Sequence, residues 1–206
     1  MDKFIERLKI EDINVSRETF EKLNVYLELI NKWNKSINLV SRKIHENDLF
    51  AHVRESIVLA EILGNTGEFI DLGSGNGLPG IVLGIMGLSG TLVERNSKKS
   101  VFLKEATRIL KIDTKVIGSD IRHCYNILKE GNPKFIVSKA VSSASEVIDL
   151  CYPLINNMTE VFLLKTNAAA KELVMLKEKY IFESVTIENK NLNDNVILKV
   201  RHIKLK

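Results

Sequence analysis

Cysteine is scarce in this chain: 206 residues include only Cys124 and Cys151. Neither belongs to a Cys-x-x-Cys pair, so the pattern argues against a disulfide scaffold and a zinc ribbon. Long apolar runs are missing too. The strongest, Leu78 to Leu88, is interrupted by glycines and falls well short of the roughly 18 residues a membrane-spanning helix needs. The opening Met1-Asp2-Lys3-Phe4-Ile5-Glu6-Arg7 carries charges of both signs, which a secretory signal does not. There is no internal repeat, no low-complexity tract and no long Pro/Gly/Ser linker. No Ser/His/Asp or Cys/His set suggests a protein nucleophile, and no metal site is expected. These absences lead to the expectation of a soluble cytoplasmic protein with reduced thiols, working as a monomer.

What remains is ordinary globular composition, 45% hydrophobic and 27% charged, on a chain long enough to bury a core without staples. The net charge of +4 is unevenly placed. Residues 1–65 carry 10 Lys+Arg against 11 Asp+Glu, a net of −1, and residues 66–206 carry 20 against 15, a net of +5. A basic C-terminal part is compatible with a polyanionic partner and equally with a solvated surface.

Residues 1–65 read as a helical region packed on the remainder of the chain. Leu23, Tyr26, Leu27, Ile30, Trp33 and Ile37 form an apolar stripe at helical spacing, with Ser16 as N-cap. A second helix is predicted over 46–63, stopping at Gly64. From residue 66 the rhythm changes. Short apolar strands are predicted at 68–72, 91–94, 115–117, 135–138 and 161–165, with a helix over 97–110. Strands alternating with helices imply a mostly parallel sheet. Residues 182–188 and 196–202 read as two further strands joined by the polar turn 189–195.

The richest local signal is Asp71-Leu72-Gly73-Ser74-Gly75-Asn76-Gly77-Leu78-Pro79-Gly80, which leaves the first strand and opens a helix. Its glycines let the backbone turn sharply and approach a ligand closely. In open α/β sheets such a site lies beyond the carboxyl ends of the strands. Two ligands compete for it. Gly75-x-Gly77-x-x-Gly80 formally matches a dinucleotide fingerprint, with Glu94 as ribose acceptor, as in an NAD-dependent oxidoreductase. The same residues suit S-adenosyl-L-methionine: an acid, Asp71, closes the first strand, the glycine turn approaches the methionyl part, and Glu94 takes the ribose hydroxyls. Asp71 favours the second reading, because a carboxylate beside a pyrophosphate would be repelled. A glycine turn that merely packs is the third possibility.

Several motifs then align together: Trp33-Asn34-x-x-x-Asn38-Leu39, His52-x-x-Glu55-Ser56, the glycine loop through Leu78-Pro79-Gly80, Leu92-Val93-Glu94 with Lys98-Lys99-x-x-Phe102-Leu103, Ser138-Lys139-Ala140, and the strand ending at Lys165. With them the chain resembles the bacterial small-subunit rRNA guanine-N7 methyltransferases, also called glucose-inhibited division protein B, from about residue 20 to residue 170. The resemblance implies an α/β class I methyltransferase domain over 66–206, Rossmann-like with an antiparallel C-terminal strand, behind the helical extension of 1–65. It implies S-adenosyl-L-methionine as cofactor and small-subunit rRNA, free or in a ribosomal particle, as partner. Carried over by position, Asp71, Gly73, Gly75, Gly77, Leu78, Glu94, Ile121, Arg122 and Lys139 would hold the cofactor. Lys139 and Asn38 would serve catalysis, and Asn34, His52 and Lys165 would meet the RNA. The chain departs from the family at Ala51-His52, Glu55, Asp120-Ile121-Arg122, Lys139 in place of an arginine, and Lys165-Thr166. A catalytically impaired ribosome-binding homologue is the alternative those departures raise. The chemistry suits the residues: guanine N7 carries a free lone pair and no proton, so its methylation needs orientation rather than a general base.

Overall fold

The computed structural model describes residues 14–40, 46–64, 67–139, 142–166, 169–188, 192 and 195–206. Helix α1 spans Arg17–Trp33 and starts where expected, with the Ser16 hydroxyl accepting the Thr19 N–H at 3.1 Å. Its stripe of Phe20, Leu23, Tyr26 and Ile30 is buried, as a 3.6-residue repeat demands of a helix with one apolar face. Helix α2, Glu46–Leu63, stops before Gly64, whose φ of 56° ends the helical path.

Seven strands come next: β1 (Phe69–Leu72), β2 (Gly90–Val93), β3 (Thr114–Ile117), β4 (Phe135–Lys139), β5 (Glu160–Thr166), β6 (Tyr180–Ile187) and β7 (Asn195–Leu205). They form one sheet in the order β3-β2-β1-β4-β5-β7-β6. The first five pair in parallel, and β7 runs antiparallel to both of its neighbours. The predicted strands all exist, each within a few residues of its expected bounds. The turn predicted over 189–195 lies mostly outside the described residues, as do Ala140 and residues 1–13.

The helices that connect the strands are α3 (Gly80–Ile85), α4 (Ser97–Leu110), α5 (Tyr125–Glu130), α6 (Ala144–Cys151) and α7 (Ala169–Lys179). The strand alternation splits the core in two. Phe69, Leu92, Phe135, Val137 and Phe162 face α1, α2, α3 and α4. Ile70, Leu72, Val93, Ile136 and Leu163 face the layer of α5, α6 and α7. Because successive strand residues point to opposite faces, burial on both sides needs the near-continuous apolar strands seen here. The helices of residues 14–64 share the first of these cores with the sheet. Trp33 belongs to that packing, edge-on to Phe102 at 5.7 Å. Among the described residues no helix is long and apolar enough to cross a membrane.

Candidate functional site

Strand order reverses between β1 and β4, and a cleft of about 910 Å³ opens beyond the carboxyl ends of those strands. Such a switch point is where open α/β sheets bind ligands. One wall is the glycine turn, Gly73 to Asn76, with Leu78 behind it. Gly73, Gly75 and Gly77 take φ values of 68°, 55° and 95°. At Gly77 a side chain is excluded by space as well, since a Cβ would lie 2.5 Å from Ile81. At Gly75 a Cβ would meet only the Gly73 carbonyl, at 3.6 Å, so any larger side chain would extend from the turn that borders the cleft.

Glu94 follows β2 and borders the cleft with its carboxylate fixed from two sides. Oε2 accepts the Gly75 N–H at 2.8 Å and Oε1 accepts the Asn96 N–H at 2.7 Å. Each oxygen keeps a second acceptor direction. Ile121 and Arg122 stand on the far rim after β3. The Arg122 guanidinium grips Asp120 through two bonds, at 2.9 and 2.8 Å, and holds that carboxyl well below the usual range. The apolar surfaces of Leu72, Leu78, Val93 and Ile121 beside an anchored carboxylate and a glycine-rich turn fit an adenosyl group with a ribose diol.

Asp71 does not line this cleft. Alternation along β1 turns it to the α1 and α3 side, where it is buried and Oδ2 accepts the Gly80 N–H at 3.1 Å. Burial pushes its carboxyl up to about 7, aided by the Glu94 charge and opposed by hydrogen bonds with Ser74 and Gly80. Tyr26 reaches the same loop from α1, its hydroxyl donating to the Asn76 carbonyl at 2.8 Å. Asp71, Gly77 and Tyr26 therefore brace the turn from beneath. Asp71, expected as a cofactor contact, is faced inward by its strand register and supports the turn.

The other wall carries Leu39, Val40, His52 and Lys139. Asn34 caps α1 and its Oδ1 accepts the Leu39 and Val40 N–H groups at 2.9 and 3.1 Å, so it shapes the segment that reaches the cleft without lining it. Asn38 is exposed on the same turn. Lys165 is largely buried and does not itself line the cleft; it pairs with Glu172 at 2.9 Å and donates to the carbonyl of Ser142, which does. The structure thus gives Asn34 and Lys165, the residues expected to meet the RNA, internal partners. Lys139 ends β4 and pairs with the buried Glu55 at 2.7 Å. Glu55 also faces His52 at 3.3 Å and accepts from the Asn195 amide at 2.6 Å. Burial alone would push the Glu55 carboxyl up, but His52, Lys139 and Asn195 outweigh it and bring it to about 2. Ionised Glu55 is acceptor-only, which places a proton on His52 Nδ1.

The sequence reading missed Tyr26 and Asn195 as site residues. A tyrosine on a buried helical stripe was itself a signal, because its hydroxyl needs a partner. Asn195 sits 140 positions from Glu55, and nothing local announces their meeting.

Comparison with known proteins places this geometry. A family model described as rRNA small subunit methyltransferase G (GidB) matches residues 19–200. The protein named ribosomal RNA small subunit methyltransferase G from Rickettsia africae is 31% identical over 193 residues, covering 93% of this chain and 97% of that one. Its counterpart from Rickettsia bellii is 28% identical over 190 residues, covering 91% and 96%. Among solved structures, a mutant of MtNAS in complex with S-adenosylmethionine superposes with a TM-score of 0.60 at 13% identity, covering 89% of this chain and 75% of that one. The O-methyltransferase from Bacillus cereus in complex with SAH gives 0.59 at 12% identity, covering 95% and 96%. These two likenesses show the fold, a class I methyltransferase sheet. The fold, the cleft at the switch point and a family match spanning most of the sequence lead to one conclusion: the chain belongs to the rRNA small subunit methyltransferase G family.

Proposed function

We infer that the protein transfers the methyl group of S-adenosyl-L-methionine to small-subunit rRNA, and we propose that the acceptor is N7 of a guanine, reached in the cytoplasm on free rRNA or a ribosomal particle. The observation that carries this reading is the anchored Glu94 carboxylate facing the same cleft as the Gly73–Gly75 turn. The NAD-dependent alternative is not favoured by the family match.

When bound, S-adenosyl-L-methionine supplies an electrophilic methyl group on a sulfonium. In this reading Gly73, Gly75 and Leu78 pack along the donor, Glu94 accepts from the ribose hydroxyls, and Ile121 and Arg122 flank the adenine. His52 and Lys139 border the remaining part of the cleft, where a flipped-out base or its phosphate would enter, with the exposed Asn38 next to cleft-lining Leu39 in sequence. N7 of guanine is an unprotonated lone pair, so orientation supplies the rate. Methyl transfer to N7 would leave the total charge in the cleft unchanged. The cleft suits this: acidic Glu94, Asp120, Glu146 and Asp149 stand beside basic Arg95, Lys99, Arg122 and Lys139.

Mapping methylated guanines in rRNA from cells with and without this protein tests the reading. The expected result is one guanine of small-subunit rRNA that loses its N7-methyl mark in the absence of the protein. An unchanged methylation map overturns the assignment.

A further inference from the structure

Three elements remote in sequence converge on one buried carboxylate. Glu55 sits on α2 with 2% of its side chain exposed, Lys139 ends β4, and Asn195 begins β7. Oε2 takes both the Lys139 ammonium, at 2.7 Å, and His52 Nδ1, at 3.3 Å, while Oε1 takes the Asn195 amide at 2.6 Å. A carboxylate withdrawn from water to this degree is costly unless fully paired. Here its partners include the two cleft-lining residues His52 and Lys139.

We propose that Glu55 is a positioning residue for methyl transfer: it keeps Lys139 in its ammonium form and fixes Lys139 and His52 together at the acceptor end of the cleft. This rests on the reading of the cleft as a methyl-transfer site for RNA. Lys139 has the opposite problem to an exposed lysine. Burial drives its proton off, and the Glu55 charge and hydrogen bond are what oppose that loss. No other ion pair reaches Lys139 among the described residues. The other charged groups on the cleft wall are Glu94, Arg95 and Lys99 beyond β2, Asp120 and Arg122 after β3, and Glu146 and Asp149 on α6. With Glu55 replaced by neutral glutamine, burial acts on Lys139 unopposed, and the ammonium is lost on the alkaline side.

The test uses the full chain and three variants: Glu55→Gln, Glu55→Asp, and Glu55→Gln combined with Lys139→Arg. The first readout needs no donor: the Lys139 side-chain NMR titration, followed through its 13Cε signal, moves to lower pH in Glu55→Gln than in wild type. The second is kcat/KM for methyl transfer to isolated small ribosomal subunits. For Glu55→Gln it falls about tenfold or more on the alkaline side and recovers toward wild type as the pH is lowered and the lysine regains its proton. Glu55→Asp keeps a carboxylate and restores part of the rate without the new pH dependence. The double variant loses that dependence, because a guanidinium stays charged throughout. S-adenosylhomocysteine affinity, read by calorimetry, stays within about threefold in the folded variants. An unshifted Lys139 titration, or a Glu55→Gln rate profile parallel to wild type, overturns the role for Glu55. So does loss of S-adenosylhomocysteine binding in step with rate in both Glu55 variants. Absence of methyl transfer by the wild-type protein would instead overturn the functional reading, and the Lys139 titration would still decide whether Glu55 holds the ammonium.

Discussion

Tyr26 and Asp71 show how individual residues build this site without touching its cavity. Tyr26 is fully buried, and its hydroxyl holds the Asn76 carbonyl of the glycine turn. Replacing Tyr26 by phenylalanine leaves that carbonyl without its donor, at a cost of about 1 kcal/mol. S-adenosylhomocysteine binding should weaken by about three- to tenfold in calorimetry while the fold persists. Unaltered affinity would separate the turn from α1. Asp71 yields a pH prediction. Its carboxyl is raised to about 7 in the folded chain, above its value of about 4 in the unfolded chain. Its contribution to stability is therefore complete below about pH 4 and lost as pH rises through 7. The melting temperature of the wild-type protein should fall between about pH 4 and pH 7 and level off above that, and Asp71→Asn should flatten that fall. Gly75→Val forces a β-branched residue into a left-handed turn and extends a side chain from the cleft border. Binding of S-adenosylhomocysteine should become undetectable by calorimetry. Residue types at the glycine turn and at Glu94 were legible in the sequence because turn chemistry is local. The inward facing of Asp71 follows only from strand alternation counted from Phe69.

Secondary elements were legible where periodicity is strong. The stripe of α1 and the strands β1, β2, β4 and β5 follow from apolar spacing. Helices α5, α6 and α7 leave little trace in the sequence, being short or weakly patterned. Helix α6 is set by its start: Ser143 accepts the Glu146 N–H at 3.3 Å, and the Glu146 carboxylate accepts the Ser143 N–H at 3.1 Å. This reciprocal capping fixes the helix that carries Glu146 and Asp149 to the cleft. Ser143→Ala should cost about 1 kcal/mol and lower the melting temperature by about 2–4 °C. A melting temperature equal to wild type would show that packing against the sheet alone fixes this helix. At the edge strand β6, most side chains are exposed. Its alternation is correspondingly faint, and its bounds shifted from the predicted 182–188 to Tyr180–Ile187.

At the scale of the whole molecule, the helices of residues 14–64 and the sheet share a core, and the site depends on both. Leu39, Val40 and His52 come from the helical part, and Gly73, Glu94 and Lys139 from the sheet. The mostly parallel topology was legible from the alternation of strands and helices. The convergence of α2, β4 and β7 on Glu55 was not, because pairing over 84 and 140 positions leaves no local trace. In the proposed reading, function rests on this assembly: the glycine turn and Glu94 at a donor end, and His52 and Lys139 at an acceptor end. The decisive measurement is transfer of a labelled methyl group from S-adenosyl-L-methionine by the purified protein to small ribosomal subunits taken from cells that lack it. Label is expected in the rRNA at a single guanine, and none with Gly75→Val. No label with the wild-type protein, or label confined to ribosomal protein, would refute the assignment of the two ends.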